Sequence, residues 1–161
     1  MRLIPLEHPI PPGIEHDRFR LRILTVDDLI KDYEAVMSSA DRLRERFPYW
    51  GWPDPGMTIK DDLIDLGWHQ KEAQLRRSFN YAVMSPGEDR LLGCVYVDPP
   101  EKQGADAEVC LWVRSDEEDG DLEQVLEAEV RRWIDAEWPF EDVRWPGRDI
   151  AWEDWDALPD A

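Results

Sequence analysis

The chain has 161 residues, enough for about one domain with a buried core, and its nine Trp within a 42% hydrophobic content exclude a disordered polymer. A formal net charge of −18 excludes nucleic acid and anionic membrane as partners, because both would repel it. It favours cationic ligands such as amines, polyamines or basic protein segments, while also serving plain solubility.

Residues 1–17 carry Pro5, Pro9, Pro11 and Pro12 and read as an extended Pro-rich arm, leaving 18–161 as one domain. The first residues hold too many prolines and charges for a signal peptide, and no apolar run approaches the roughly 20 residues of a membrane span, so a cytoplasmic location is expected. "RFRLRIL" (18–24) alternates, with Phe19, Leu21 and Ile23 on one face, as a half-buried strand does. Thr25 with Asp28 forms a capping-box signal before an apolar stripe of Val26, Leu29, Ile30, Tyr33, Val36 and Met37. A short helix over 40–46 follows, and Pro48, Pro53 and Pro55 break it. Thr58 with Asp61 opens a third helix that runs to about Arg77, weakened at Gly67.

Three strands come next, over 79–85, 90–98 and 106–114. Along the last of them Val109, Leu111 and Val113 share one face and Glu108, Cys110 and Trp112 the other. An acidic turn, "SDEEDGD", leads into an amphipathic helix over 121–137 with Leu122, Val125, Leu126, Val130, Trp133 and Ile134 inward. A short strand over 140–145 and one helical turn in the tail complete the chain. A meander joined to a crossover helix implies an α/β fold, a mixed and mostly antiparallel sheet with helices on its faces.

Isolated features predict little chemistry. Cys94 and Cys110 give neither a disulfide framework nor a metal spacing; they are expected as core thiols that face each other across the 98–106 loop. His8, His16 and His69 are too scattered for a zinc site, and the acidic turn lacks EF-hand spacing, so no metal is expected. Trp50 and Trp52 suit either a core edge or stacking on a cation, His69 a structural role, and Trp152 and Trp155 the docking of the tail.

The element order, "LLGCVYVDPP" (91–100), and "AEVCLWVRS" (107–115) running through a glycine-bearing turn into a helix together resemble the GNAT acetyltransferase superfamily over 18 to about 145. The resemblance implies a single GNAT-like domain that transfers an acyl group from acetyl-CoA to an amine. It implies Glu108 as general base, and the backbone of Val113, Ser115, Gly120, Asp121 and Leu122 as the cradle of the CoA pyrophosphate at a helix N-terminus. The implied acceptor is a small-molecule amine or a basic peptide, with a homodimer left open.

Two departures carry expectations of their own. In the family's Gln/Arg-x-x-Gly-x-Gly/Ala turn, Glu117 stands at the first position and Leu122 at the last, so repulsion from the loop carboxylates is expected to weaken CoA binding. The family's region after the fifth strand, which supplies a tyrosine acid, is short here, and no Tyr lies beyond Tyr96. The second reading of the chain is therefore a catalytically degenerate GNAT-like module that binds a basic partner.

Overall fold

The computed structural model describes all 161 residues. Six strands form one sheet in sequence order: β1 (Ile14–Glu15), β2 (Arg20–Ile23), β3 (Phe79–Met84), β4 (Leu91–Asp98), β5 (Ala107–Val113) and β6 (Val143–Arg144). All neighbours are antiparallel except β5 and β6, the pair that brackets the crossover helix. The expected mixed sheet is present, and it begins earlier than the alternating pattern alone indicates, because β1 lies inside the Pro-rich segment and pairs Ile14 with Leu21.

Period-two alternation sorts β5 into two cores, as its sequence pattern requires. Val109, Leu111 and Val113 join the core under α4 (Leu122–Glu137), whose Leu122, Leu126, Val130, Trp133 and Ile134 are all buried there. Val125, expected inward, sits at the margin and is only partly buried. Cys110 and Trp112 face the opposite core, built with α1 (Leu29–Ser38), α2 (Ala40–Arg46) and α3 (Ile59–Gln74). Both capping boxes form. Asp28 accepts the Thr25 N–H at 3.0 Å, opening a single 3-10 turn before α1. Asp61 accepts the Thr58 N–H at 2.8 Å and opens α3.

The β3–β4–β5 meander carries the chemistry. Its register pairs Gly93 with Val113, Cys94 with Trp112, Tyr96 with Cys110 and Asp98 with Glu108. The two cysteines therefore do not face each other: they are offset by one pair step on the same face, and both are free, buried thiols. Gly93 follows a bulge opposite Val83 and Met84, where a Cβ would stand 2.0 Å from the Trp112 carbonyl oxygen, so only glycine lets the strands close.

β6 pairs with β5 only at Ala107 and Glu108 and then diverges. The carboxyl-terminal half of β5 is left without a strand neighbour on that side, and the free edge faces the start of α4. No helix of the protein is long and apolar enough to cross a membrane.

Candidate active site

Glu108 stands where β4, β5 and β6 meet, and only 8% of it is exposed. One carboxylate oxygen accepts the Glu101 N–H at 2.9 Å. Burial pushes its carboxyl up to about 7, a rise that the Glu101 hydrogen bond opposes and does not cancel. A group with that value can hold or release a proton near neutrality, which is what general-base chemistry needs.

Glu108 lines a cavity of about 490 Å³. Its cross-strand partner Asp98 lines it too, held by the Ser78 hydroxyl at 2.5 Å and raised by burial. Tyr96, one pair step along β4, contributes a buried phenol whose oxygen accepts the Trp112 indole N–H at 3.0 Å. Burial holds that phenol well above its ordinary range, so it keeps its proton. From α3, Asp65 and His69 reach the same cavity 3.6 Å apart.

Aromatic rings complete the wall. Trp50 meets Tyr96 edge to face at 5.5 Å, and Trp52 and Trp152 lie 6.4 and 6.3 Å from Trp50. The tail helix α5 (Trp152–Asp156) forms one side of the cavity. Trp155 is buried and Trp152 donates to the Arg46 carbonyl at 2.9 Å. Lys102 ties the β4–β5 loop to the tail through Asp160 at 2.7 Å and the Asp156 carbonyl at 3.1 Å.

Behind this wall two carboxyls, Asp32 of α1 and Asp62 of α3, are buried together. Neither Asp62 oxygen meets a protein N–H or hydroxyl, and burial raises both groups, Asp62 to about 6. Asp32 is raised well above the usual carboxylate range by its burial and by Asp62 beside it.

The other end of β5 is a cationic site. Arg42, Arg46 and Arg148 converge on Glu123 in the first turn of α4, at 3.3, 3.9 and 3.2 Å. Arg42 also pairs with Glu118 at 2.8 Å and donates to the Val113 carbonyl at 3.3 Å, and Arg148 reaches the Leu111 carbonyl at 3.5 Å. Guanidinium groups thus cap the open edge of β5. The N–H groups of Leu122, Glu123 and Gln124 make no hydrogen bond, and Asp121 supplies no side-chain cap, so the positive end of the α4 dipole is bare.

Solved acetyltransferase structures share this fold. The ribosomal-protein-S5-alanine acetyltransferase of Vibrio fischeri aligns with a TM-score of 0.57 at 13% identity, over 76% of this chain and 66% of that one. RimL, the ribosomal L7/L12 α-N-protein acetyltransferase solved with coenzyme A, aligns at 0.58 and 13%, over 78% and 67%. The microcin C7 self-immunity acetyltransferase MccE, solved with acetyl-CoA and AMP, aligns at 0.59 and 13%, over 79% and 69%. The fold is that of the GNAT superfamily. The chain spans about two thirds of the length of these structures. No family model matches the sequence, and no curated protein sequence does.

On the GNAT scaffold the residues singled out from sequence fall at the two ends of one strand. Glu108 lies in the aromatic cavity, whereas Val113, Ser115, Gly120, Asp121 and Leu122 lie at the free edge and the start of α4. Five residues of strand, roughly 17 Å, separate Glu108 from Val113. The expected repulsion by the acidic turn is corrected by the side-chain geometry. Asp116 pairs with Arg90 and Arg114, Glu117 with Arg90, Glu118 with Arg42, and Asp121 with Arg18. Only Asp119 of the turn has no ion-pair partner. Arg114, 4% exposed and bidentate to Glu34 at 2.7 and 2.8 Å, anchors the turn to α1.

Sequence reading missed Tyr96 and Asp98 as site residues and took His69 as structural. The signal existed: Tyr96 and Asp98 are in phase with Glu108 across an antiparallel hairpin. The arginines at 42, 46 and 148 come from three remote segments and leave no local pattern.

Proposed function

We propose that the protein is an acyl-CoA-dependent N-acetyltransferase acting on a cationic amine, with Glu108 as general base. The observation that carries the reading is Glu108 itself: a buried carboxyl, near-neutral in its proton affinity, facing a cavity whose other polar groups are mostly carboxylates. The loop carboxylates that argued for a degenerate site are matched by arginines, which removes the reason for that alternative.

The residues present fit acetyl-CoA. Bare N–H groups at α4 and the guanidiniums of Arg42, Arg46 and Arg148 suit a diphosphate, with Glu123 and Glu118 giving way to it. The edge of β5 from Val109 to Val113 has no strand neighbour and suits an extended amide-bearing chain once Arg42 and Arg148 leave the Val113 and Leu111 carbonyls. Acetyl-CoA, when bound, supplies the acyl group as an activated thioester.

The chain's own residues do the rest. An ammonium entering the cavity is held against the Trp50 and Trp52 faces and the carboxylates of Asp98 and Glu108. Glu108 takes one proton from the ammonium nitrogen and exposes its lone pair for attack on the acyl carbon. Tyr96, whose phenol stays protonated, would give its O–H proton to the sulfur that leaves as the C–S bond breaks and the C–N bond forms, and the second proton shed by the nitrogen makes good the phenol. The RimL relatives act on a protein N-terminus, so a basic peptide stands beside small amines as an acceptor.

Calorimetry with acetyl-CoA, followed by thiol release on adding amines, tests the proposal. Saturable binding and amine-dependent thiol release are expected. An absence of both at millimolar ligand would refute it.

A further inference from the structure

The cavity beside Glu108 is more acidic than a single ammonium requires. Asp65, Asp98, Glu101, Glu108 and Asp156 all line it. The one ammonium among them, on Lys102, is spent on Asp160 and the Asp156 carbonyl. Arg144 lies opposite Glu108 in the β5–β6 register, but its guanidinium goes to Asp142 and the Gly104 carbonyl.

The carboxylates come from different elements, the sheet and α3. Asp98 and Glu108 are cross-strand partners at the sheet end. Asp65 projects from α3, with His69 between it and Tyr96, whose ring centroid is 6.0 Å from the imidazole. Trp50, Trp52 and Tyr96 supply the aromatic part of the same cavity lining. One ammonium at Glu108 leaves Asp65 with only the His69 imidazole, 3.6 Å away, beside it. A second ammonium reaching Asp65 would pair it, and the methylenes joining the two would lie along the indole and phenol faces.

We propose that the acceptor site takes a small organic dication, two ammonium groups joined by a short alkyl chain, with Asp98 and Glu108 holding the reacting end and Asp65 the distal end. The inference rests on the transferase reading for which end reacts, and on the cavity alone for what binds. The tail side of the cavity favours a small molecule over a protein terminus. A cavity of about 490 Å³ suits the former, and α5, held by the buried Trp155, the Trp152–Arg46 hydrogen bond and the Lys102–Asp160 pair, narrows the approach of a polypeptide from that side. Asp65 thereby becomes the residue that sets specificity, because monoamines and diamines differ only at its end of the cavity.

Binding measured without CoA separates this inference from the transferase reading. The full-length protein is titrated with 1,4-diaminobutane, with butylamine and with an uncharged tetrapeptide bearing a free N-terminus, followed by tryptophan fluorescence and calorimetry. Diaminobutane is expected to bind at least tenfold tighter than butylamine at low salt, with the ratio shrinking as salt rises. In Asp65→Asn the ratio should fall to near one; Asp65 is 44% exposed, so the change is compatible with folding. Equal affinity for the mono- and diamine in the wild type, tighter binding of the peptide, or no binding of any amine would overturn the inference. Selective diamine binding without thiol release from acetyl-CoA would leave it standing and remove the transferase reading instead. Transfer to butylamine or the peptide at the same efficiency as to diaminobutane would do the reverse.

Discussion

The two ends of β5 are both rich in carboxylates, yet they are built on opposite principles. At the 116–123 end almost every acid meets an arginine, and the side chains of Asp116, Glu118 and Asp121 are half-exposed or more. At the 108 end Glu108 is buried, Asp98 and Asp65 are partly buried, Glu101 and Asp156 are exposed at the rim, and the nearest lysine is occupied elsewhere. The first set is electrically quiet. In the second, burial without matching cations raises the proton affinity of Glu108 and Asp98. Counting acidic letters misreads both, because partner and burial decide the field around a carboxylate, and neither is local in sequence.

The sharpest way to break this contrast is Glu108→Gln. If Glu108 is the base, kcat should fall by roughly 10²–10⁴ with CoA affinity unchanged, and the wild-type rate should rise with pH through about 7. Stopped thiol-release assays across pH 5.5–9 read both. Undiminished turnover in the variant, or a flat pH profile in the wild type, removes Glu108 from the chemistry.

The same substitution has a stability signature of the opposite sign. A carboxyl raised from 4.5 to about 7 on folding binds more protons in the native state between those values. Its contribution is therefore intact below about 4.5 and is lost as pH climbs toward 7, to the extent of about 3 kcal/mol. Asp62, raised from 3.8 to about 6, and Asp32 act in the same direction, so wild-type stability should decline from pH 5 to pH 8. Glu108→Gln should remove Glu108's share and melt above the wild type at pH 8, while the two converge near pH 4.5. Thermal melts at the two pH values check it. A variant less stable than the wild type at pH 8 would show that the carboxylate is satisfied in the fold, and that its end of the strand is no different from the other.

Much of the fold was legible. Alternation in 106–114 sorted Glu108, Cys110 and Trp112 from Val109, Leu111 and Val113, and the 3.6-residue stripe of 121–137 marked all five α4 residues in the core. Both capping boxes marked true helix starts. The site was legible only along single elements. Glu108 was visible through its family resemblance; Tyr96 and Asp98 required the β4–β5 register, and Asp65 and His69 required knowing which face of α3 meets the sheet. β1 escaped because two residues are too short to show a period. The acidic turn misled because its partners Arg18, Arg42 and Arg90 lie 26–103 residues away and no spacing rule connects them.

The smallest effects test the quiet end. Were the turn repulsive, neutralising Glu117 would improve CoA binding. Instead Glu117 is paired with Arg90 at 3.1 Å on a partly exposed surface, so Glu117→Gln should change CoA affinity by less than about twofold and stability by less than about 1 kcal/mol. Glu123 differs. It sits among Arg42, Arg46 and Arg148, where a phosphate group would go, and no other carboxylate contacts Arg46. Burial and the Arg148 charge already pull Arg46 below its usual proton affinity, so that cluster is short of negative charge even with Glu123 in place. Glu123→Gln keeps the volume and removes the competing charge. CoA should then bind roughly three- to tenfold tighter, a gain that fades as salt screens the arginines. Stability should drop modestly, because three guanidiniums lose a counter-ion, and CoA should restore the melting temperature more in the variant than in the wild type. Calorimetry of Glu117→Gln and Glu123→Gln at low and high salt gives the ordering directly. A larger gain from Glu117 than from Glu123 would mean that the turn faces the ligand with its carboxylates, and that the arginine pairs do not hold it aside.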